Sequence, residues 1–322
     1  MKSVLNSAAA LRFAALSAGI AAATFGVSLA EPNSASKDTS ATAQQHARAL
    51  DTIRSGEARK FRVELDGYVP PTSWLPQILG GRAVIEARVT PESYSIDSRV
   101  RAAGILDWFV DYSSTLNSRG RITSNGVTPV FYQALDDEGR KNRQTRITHE
   151  DDRVDVTVTP PHGNLGDPPA TMEQKLEAMD PMSALMALSM NPDATIENPC
   201  QGVMRIFDGK GRYNLHLSLN QHLDKMDAPG WKGPAFVCNV RYEELAGYKK
   251  KTPEEIAAQK RDLKWVNIVL ADLGPGEPRV PIKIEARSGK RGKITLVARN
   301  FSIETIDVDR AEIDDLSALK GG

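Results

Sequence analysis

The sequence lacks the short motifs that accompany several common enzymatic chemistries. It has no Gly-x-Ser-x-Gly nucleophile elbow, and its two cysteines do not form a Cys-x-x-Cys pair, the spacing typical of redox centres. Two basic glycine-containing stretches, GKGR from Gly209 and SGKRGK from Ser288, neither match a phosphate-binding P-loop nor open a helix, and hairpin turns explain them better. We therefore expect no catalytic residue and a non-enzymatic protein.

Neither sign of charge is in excess, and aromatic residues are few. The chain has 41 Lys and Arg residues against 41 Asp and Glu residues, so removing an N-terminal segment that contains Lys2 and Arg12 leaves a formal charge of −2. A balance this close to neutral gives no electrostatic basis for binding nucleic acid. The hydrophobic fraction of 40% is enough for one large core, or for two domains of ordinary size.

The first thirty residues are typical of a secretory signal peptide. Lys2 and Arg12 form the basic flank, and an uncharged, alanine-rich run follows up to Ala30. Ser28 and Ala30 supply the small residues at positions −3 and −1, so cleavage is predicted after Ala30. A transmembrane helix is the alternative, but the run is marginal in length and made mostly of small side chains. We expect a periplasmic mature chain with no transmembrane segment.

Export gives the two cysteines a simple interpretation. An even number of cysteines in an oxidising compartment predicts a disulfide, and Cys200 and Cys238 allow only one pairing. Closing a loop of this length should stabilise the fold by roughly 4 kcal/mol in the chain-entropy model. A redox-active pair is the alternative.

Alternation of apolar and polar residues dominates the mature chain and predicts half-buried strands. KFRVELDGY places Phe61, Val63 and Leu65 on one face, and AFVCNVRY places Cys238 among apolar neighbours. The turn DGKG, which begins at Asp208, separates two such runs as a hairpin, and a loop is expected over residues 220–234. Further strands are predicted over residues 83–89, 94–100, 108–116, 127–132, 154–158, 265–271, 280–286 and 293–299.

Helices are few in the same interpretation. Asp180 and Pro181 suit the N-cap and first position of a helix over MSALMALSM, and Thr252 opens a capping box that ends at Glu255. The predicted fold class is mainly β, a large curled antiparallel sheet or open β-barrel with two or three short helices. The predicted division is a signal peptide (1–30), a flexible leader (31–58), a single β-rich domain (59–310) and a flexible tail (311–322).

The order of these features resembles the periplasmic family known as domain of unknown function 3108. The resemblance spans roughly Phe61 to Ile303 and is carried by the following pieces: GRITSNGVTPVFY with Gly120, Gly126, Pro129 and Tyr132; DPMSALMAL with Asp180 and Pro181; CQGVMRIFDGKGRYNL with Cys200, Phe207, Asp208, Gly209 and Tyr213; CNVRYEELAGYK with Cys238, Tyr242, Gly247 and Tyr248; and VPIKIEARSGKRGKITL. The resemblance implies a curled sheet of the kind found in lipoprotein-carrier half-barrels, supports the pairing of the two cysteines, and offers no catalytic residue.

The five histidines do not form a recognisable metal site. His216 and His222 are the closest pair, but the first alternates outward on a strand and the second falls in the predicted loop. His149, in THEDDR, could join the acids that follow it at a divalent cation, although a solvated turn explains the same charges. We expect no metal and no cofactor. A pair of catalytic carboxylates for glycoside hydrolysis cannot be identified from sequence.

Two apolar stretches are candidates for ligand binding. AAGILDWFVDYSS contains Trp108 and Phe109 and predicts either a central strand covered on both sides or the wall of an apolar groove. PPTSWLPQILGG contains Trp74 and Leu75 and predicts a lid, an interaction patch or a plug of the core.

These features lead to one functional hypothesis and two alternatives. The hypothesis is an exported bacterial envelope protein that binds a hydrophobic ligand, namely a lipid, an acyl chain or a lipoprotein, with Trp74, Leu75, Trp108 and Phe109 as contacts. The first alternative is a periplasmic scaffold that contacts envelope proteins or cell-wall polymer, and an envelope hydrolase is the less favoured second.

Overall fold

The computed structural model describes residues 58–306, apart from residues 71–74, 105–111, 124–125, 138–141, 191–197, 256, 258–262, 275–276 and 289–291. The predicted signal peptide and tail, and all but the last residue of the predicted leader, lie outside the described residues, so that division of the chain stays a prediction.

Strands make up most of the described chain. They are β1 (Ala58–Val69), β2 (Ile78–Val89), β3 (Ser93–Ala102), β4 (Ser113–Thr123), β5 (Gly126–Asp137), β6 (Asn142–His149), β7 (Val154–Thr159), β8 (Gly202–Phe207), β9 (Arg212–Ala228), β10 (Trp231–Ala246), β11 (Leu263–Ala271), β12 (Val280–Ser288) and β13 (Gly292–Ile306). Two helices, α1 (Met172–Leu176) and α2 (Pro181–Ser189), lie between β7 and β8.

All thirteen strands belong to one antiparallel sheet. Its order is β7-β6-β5-β4-β3-β2-β1-β13-β12-β11-β10-β9-β8. Apart from β7 and β8, successive strands are neighbours, as hairpin connections require, and the first and last strands pair in the middle, where Val63 lies opposite Phe301. The sheet is not closed, because β7 and β8 form its two edges. The predicted fold class, a curled antiparallel sheet with few helices, is confirmed.

The segment between β7 and β8 covers the edge at β8. Met179 forms an isolated parallel bridge with Ile206: its N–H donates to the carbonyl of Arg205 (3.0 Å), and its carbonyl accepts from the N–H of Phe207 (2.9 Å). Farther back, the N–H of Asp167 donates to the carbonyl of Tyr248 (2.8 Å). These bonds satisfy main-chain groups that an exposed strand edge would leave open to other chains.

Helix α2 lies on the inner side of the curled sheet. It contacts β4, β5, β8 and β12, and seven of its nine residues are buried. Met182, Leu185 and Met186 join a large apolar core that draws on β1–β8 and β10–β13, whereas Ala184 and Leu188 join a second core with β8–β11. A helix that is apolar all round has to be enclosed on all sides, and α2 therefore contributes to both cores.

The predicted disulfide is confirmed. Cys200 and Cys238 are bonded, with Cα atoms 5.4 Å apart, and both are fully buried in the second core. Cys200 lies two residues before β8 and Cys238 lies in β10, so the bond crosses β9 and ties the β8 edge to the sheet. The predicted turn at Asp208 is also present: the carboxylate accepts from the N–H groups of Lys210 (3.0 Å) and Gly211 (2.6 Å).

One local prediction is wrong, and one strand was not predicted. Residues 220–234 were expected to form a loop, but β9 continues to Ala228 and β10 begins at Trp231, so His222 lies on a strand. The tip of this hairpin packs on β13, where the N–H of Gly230 donates to the carbonyl of Ala298 (2.9 Å), and that distant contact stabilises a mostly polar stretch as strand. β6 was not predicted, since its inward residues include a threonine. Of the strand predicted over residues 108–116, the part from Ser113 belongs to β4, and residues 108–111 lie outside the described residues.

Candidate functional site: an apolar cavity between helix α2 and the sheet

An apolar cavity lies between α2 and the inner face of the sheet. Its floor is built from rows of residues that run across β1, β2 and β3. In one row, Ala83 of β2 lies between Leu65 of β1 and Val100 of β3; in the next, Val63 lies opposite Ile85. The wall consists of Met182, Leu185, Met186 and Ser189 of α2, with Pro278, Val280 and Pro281 at the β12 side.

The lining of the cavity extends over several strands of the sheet. It runs from Leu116 on β4 to Pro281 on β12, across six adjacent strands, which is roughly 24 Å along the curved sheet at about 4.8 Å per strand. The empty space is about 960 Å³ when its solvent-open part is included, but the centre of a water molecule can occupy only about 70 Å³. Ile85 and Ala87 are only partly buried while lining the cavity. The lining therefore offers apolar contacts along the inner face of six strands.

The described lining residues are apolar with three exceptions. Ser189 donates its hydroxyl to the carbonyl of Leu185 (3.1 Å), and the Nζ of Lys283 lies 3.0 Å from Oε1 of Glu285. Ser98 is the third exception and lies on the floor. The surrounding apolar surface favours hydrocarbon over water.

A buried polar network fixes the N-terminus of α2 to the sheet. Asp180 caps the helix: its Oδ1 accepts from the N–H groups of Met182 and Ser183, both at 2.9 Å. Its Oδ2 accepts from the hydroxyl of Ser183 and from Ser118 of β4 (3.2 Å). Tyr94 of β3 donates to the Ser183 hydroxyl at 2.6 Å. The cavity wall is therefore attached to β3 and β4 by hydrogen bonds.

Burial dominates the electrostatics of this network. It raises the pKa of Asp180 from 3.8 to about 6, although the hydrogen bonds from Ser183, Ser118 and Met182 act in the opposite direction. Desolvation likewise raises the pKa of the Tyr94 hydroxyl far above its ordinary value. Tyr94 occupies this position because β4 has a glycine beside it. A Cβ added at Gly120 would lie 2.4 Å from the Tyr94 hydroxyl oxygen and 2.3 Å from the Thr128 carbonyl oxygen.

A second polar cluster lies at the β8–β9 turn. Burial raises the pKa of Asp208 to about 6 even though two N–H groups bind its carboxylate; the residue as a whole keeps some exposed surface, but the carboxylate is enclosed. Tyr213 and Tyr242 have ring centroids 5.0 Å apart, and the hydroxyls of Tyr242 and Tyr248 are hydrogen-bonded. The four residues all belong to the sequence pieces that carry the family resemblance.

The residues predicted to bind ligand are not those that line the cavity. Trp74, Trp108 and Phe109 lie outside the described residues. Leu75 is 37% exposed and is not among the lining residues. The floor could have been suspected from the inward residues of β1 and the wall from the uniformly apolar α2. No local signal places those two elements opposite each other.

The histidines serve separate local contacts. The Nε2 of His216 lies 2.6 Å from a carboxylate oxygen of Glu243, and the ring of His222 stacks on Phe236 with centroids 4.8 Å apart. Burial lowers the pKa of His149 to about 4. Within the described ranges, no group of three or more His, Cys, Asp or Glu side chains is arranged to hold a metal ion. Nor does any helix in those ranges have both the length and the apolarity needed to span a membrane.

Comparison with protein families identifies the domain. The model of the family described as Protein of unknown function (DUF3108) matches residues 60–299. The chain belongs to the DUF3108 family. The match includes the strands that form the cavity floor and helix α2, and it agrees with the resemblance drawn from the sequence.

Other comparisons are distant. No curated protein matches this DUF3108 chain. A β-barrel-like protein of domain of unknown function DUF1849 from Brucella abortus is similar at 11% identity and a TM-score of 0.43, covering 79% of this chain and 100% of its own. A DUF1329 family protein from Desulfovibrio piger ATCC 29098 is similar at 8% identity and a TM-score of 0.23, covering 88% of this chain and 100% of its own.

Proposed function

We propose that this protein is an exported, non-enzymatic component of a bacterial cell envelope that holds an acyl chain between α2 and the inner face of the sheet. The observation that carries the proposal is the continuous apolar lining across six strands, from Leu116 to Pro281. The signal-type N-terminus, with its cleavage site after Ala30, supports export to the periplasm.

The extent of the apolar lining supports an acyl chain as the ligand. Burying hydrocarbon contributes about 0.8 kcal/mol for each CH₂ group removed from water, so a long chain in this cavity gains more than a small ring. The volume of the cavity that the centre of a water molecule can occupy is small. A full-length chain therefore requires α2 and β1–β3 to move apart, and we expect it to enter beside the partly buried residues Ile85 and Ala87.

The test is mass spectrometry of an organic extract from protein purified out of its native periplasm, beside a mock purification. Ala87→Phe fills the cavity from its floor. Val84→Phe is the matched control, since Val84 lies on the opposite face of β2 and is not a lining residue.

The proposal expects a stoichiometric acyl species in the wild type and in Val84→Phe, and its loss in Ala87→Phe. An extract identical to the mock purification would contradict it and favour the scaffold alternative. Equal acyl content in all three proteins would place the ligand elsewhere on the molecule.

A further inference from the structure

Ser98 is an exception among the buried serines of the inner sheet face. It lies on the cavity floor and is only 4% exposed. On the neighbouring strand, Ser114 donates to Asp136 (2.6 Å) and Ser118 bonds with Asp180 and Ser183. No described residue forms a hydrogen bond with the Ser98 hydroxyl.

The Ser98 hydroxyl faces the cavity among apolar side chains. Its cross-strand neighbours on the same face are Ile85 and Leu116, and its neighbours along β3 on that face are Ile96 and Val100. The hydroxyl is not among the described side-chain atoms that are fully buried without a partner, so it keeps contact with the cavity space. An oxygen of a bound molecule can therefore reach it, and within an otherwise apolar lining that hydrogen bond would fix the position of the molecule.

We propose that the Ser98 hydroxyl donates a hydrogen bond to a neutral oxygen of the ligand, so that the cavity selects an acyl chain in ester or amide linkage over a free carboxylate. This inference rests on the proposed function and specifies its ligand. A carboxylate buried at Ser98 would need a neighbouring cation. Among the described residues that line the cavity, the only ionisable one is Lys283, and its ammonium group is paired with Glu285.

The geometry also indicates where the carbonyl lies along the chain. β3 is next to the β4 end of the cavity, and β12 forms the other end, four strand positions from β3. The polar linkage therefore lies near one end of the bound molecule, and the hydrocarbon extends over β2, β1 and β13 towards Pro281.

Ligand competition with the purified full chain tests the inference. N-phenyl-1-naphthylamine, a fluorescent apolar dye without a carbonyl, reports occupancy of the cavity. Methyl decanoate and decanoate then displace it, and the affinity of each is expressed relative to that of the dye. This ratio removes any change in packing that a substitution makes to the cavity as a whole.

Three variants separate the hydroxyl from the fold. Ser98→Ala removes the donor and should lower the ester-to-dye ratio about threefold to tenfold, the range expected for one neutral hydrogen bond. Ser98→Thr keeps a hydroxyl and should keep most of the ratio. Ser95→Ala, on the opposite face of the same strand, should change nothing. In the wild type, methyl decanoate should displace the dye at a lower concentration than decanoate does.

The outcomes distinguish the two proposals. If the wild type does not bind the dye or either chain, the proposed function fails. If all proteins bind the dye and the ester-to-dye ratio is the same in Ser98→Ala and wild type, the hydrogen bond from Ser98 to the ligand is refuted, whereas the proposed apolar binding site is still supported. A wild-type preference for decanoate over its methyl ester would also overturn the choice of a neutral ligand.

Discussion

Replacing the buried helix cap with its neutral isostere, Asp180→Asn, should change how stability depends on pH. Asparagine is as good an N-cap as aspartate, and its carbonyl can accept from the N–H groups of Met182 and Ser183. Its amide can donate to the hydroxyl oxygens of Ser183 and Ser118, which rotate to accept. The variant thus keeps the cap and removes the ionisable group.

The magnitude follows from the raised pKa. In the unfolded chain Asp180 titrates near 3.8, and in the folded protein near 6. Between these values the folded protein binds a proton that the unfolded chain does not, so the free energy of unfolding rises as the pH falls through this window. The full difference is about 3 kcal/mol, at about 1.36 kcal/mol for each pH unit. This stabilisation is present below pH 3.8 and is lost above pH 6.

The assay is urea unfolding of both proteins at a series of pH values from 4 to 7.5. The free energy of wild type minus that of Asp180→Asn should increase as the pH falls, by up to about 3 kcal/mol across the window. The raised pKa of Asp208 and the lowered pKa of His149 affect both proteins alike and cancel in the difference. A difference that stays constant over the whole range would refute a titrating, buried Asp180.

Three further predictions concern the fold. The double variant Cys200→Ser with Cys238→Ser should lose roughly 4 kcal/mol of unfolding free energy by urea titration, and reductant should lower the stability of wild type but not of the variant. Gly120→Ala should lower the free energy of unfolding by about 1–3 kcal/mol, the cost of overpacking, because its Cβ meets the Tyr94 ring and a carbonyl. The melting temperature should fall with it, and an unchanged melting temperature would contradict that contact. Gly230→Ala should increase amide hydrogen exchange at the hairpin tip, because its Cβ would lie 2.7 Å from Ala298; unaltered protection there would argue against the packing of the tip on β13.

Local sequence signals predict the parts of this fold that local physics decides. Strict alternation in β1 marks its inner face at Phe61, Val63 and Leu65, and all three are buried. The Asp-Gly turn at Asp208 and the cap at Asp180 are set by hydrogen bonds within three residues, so their residue types identify them. The disulfide follows from a count of two cysteines together with the predicted export.

The features that sequence did not predict depend on partners far along the chain. β6 has threonine at the inward position Thr145, so it shows weak alternation until β5 and β7 are known to flank it. The hairpin tip is strand because Gly230 reaches Ala298, sixty-eight positions later. The burial of Asp180 requires Ser118, which precedes it by 62 residues. The cavity exists only because α2 lies opposite β1–β3, and no local pattern contains that pairing.

Binding of an acyl chain between α2 and the inner face of the sheet is tested most directly by photo-crosslinking with a diazirine-bearing acyl methyl ester, followed by peptide mapping. The account predicts labelled peptides from the cavity floor, around Val63, Ile85 and Ser98, and from the wall at Leu185 and Met186, with labelling reduced in Ala87→Phe. Labelling confined to peptides without any lining residue, such as one that contains Leu75 alone, would contradict the account and return the site to the stretch that the sequence first favoured.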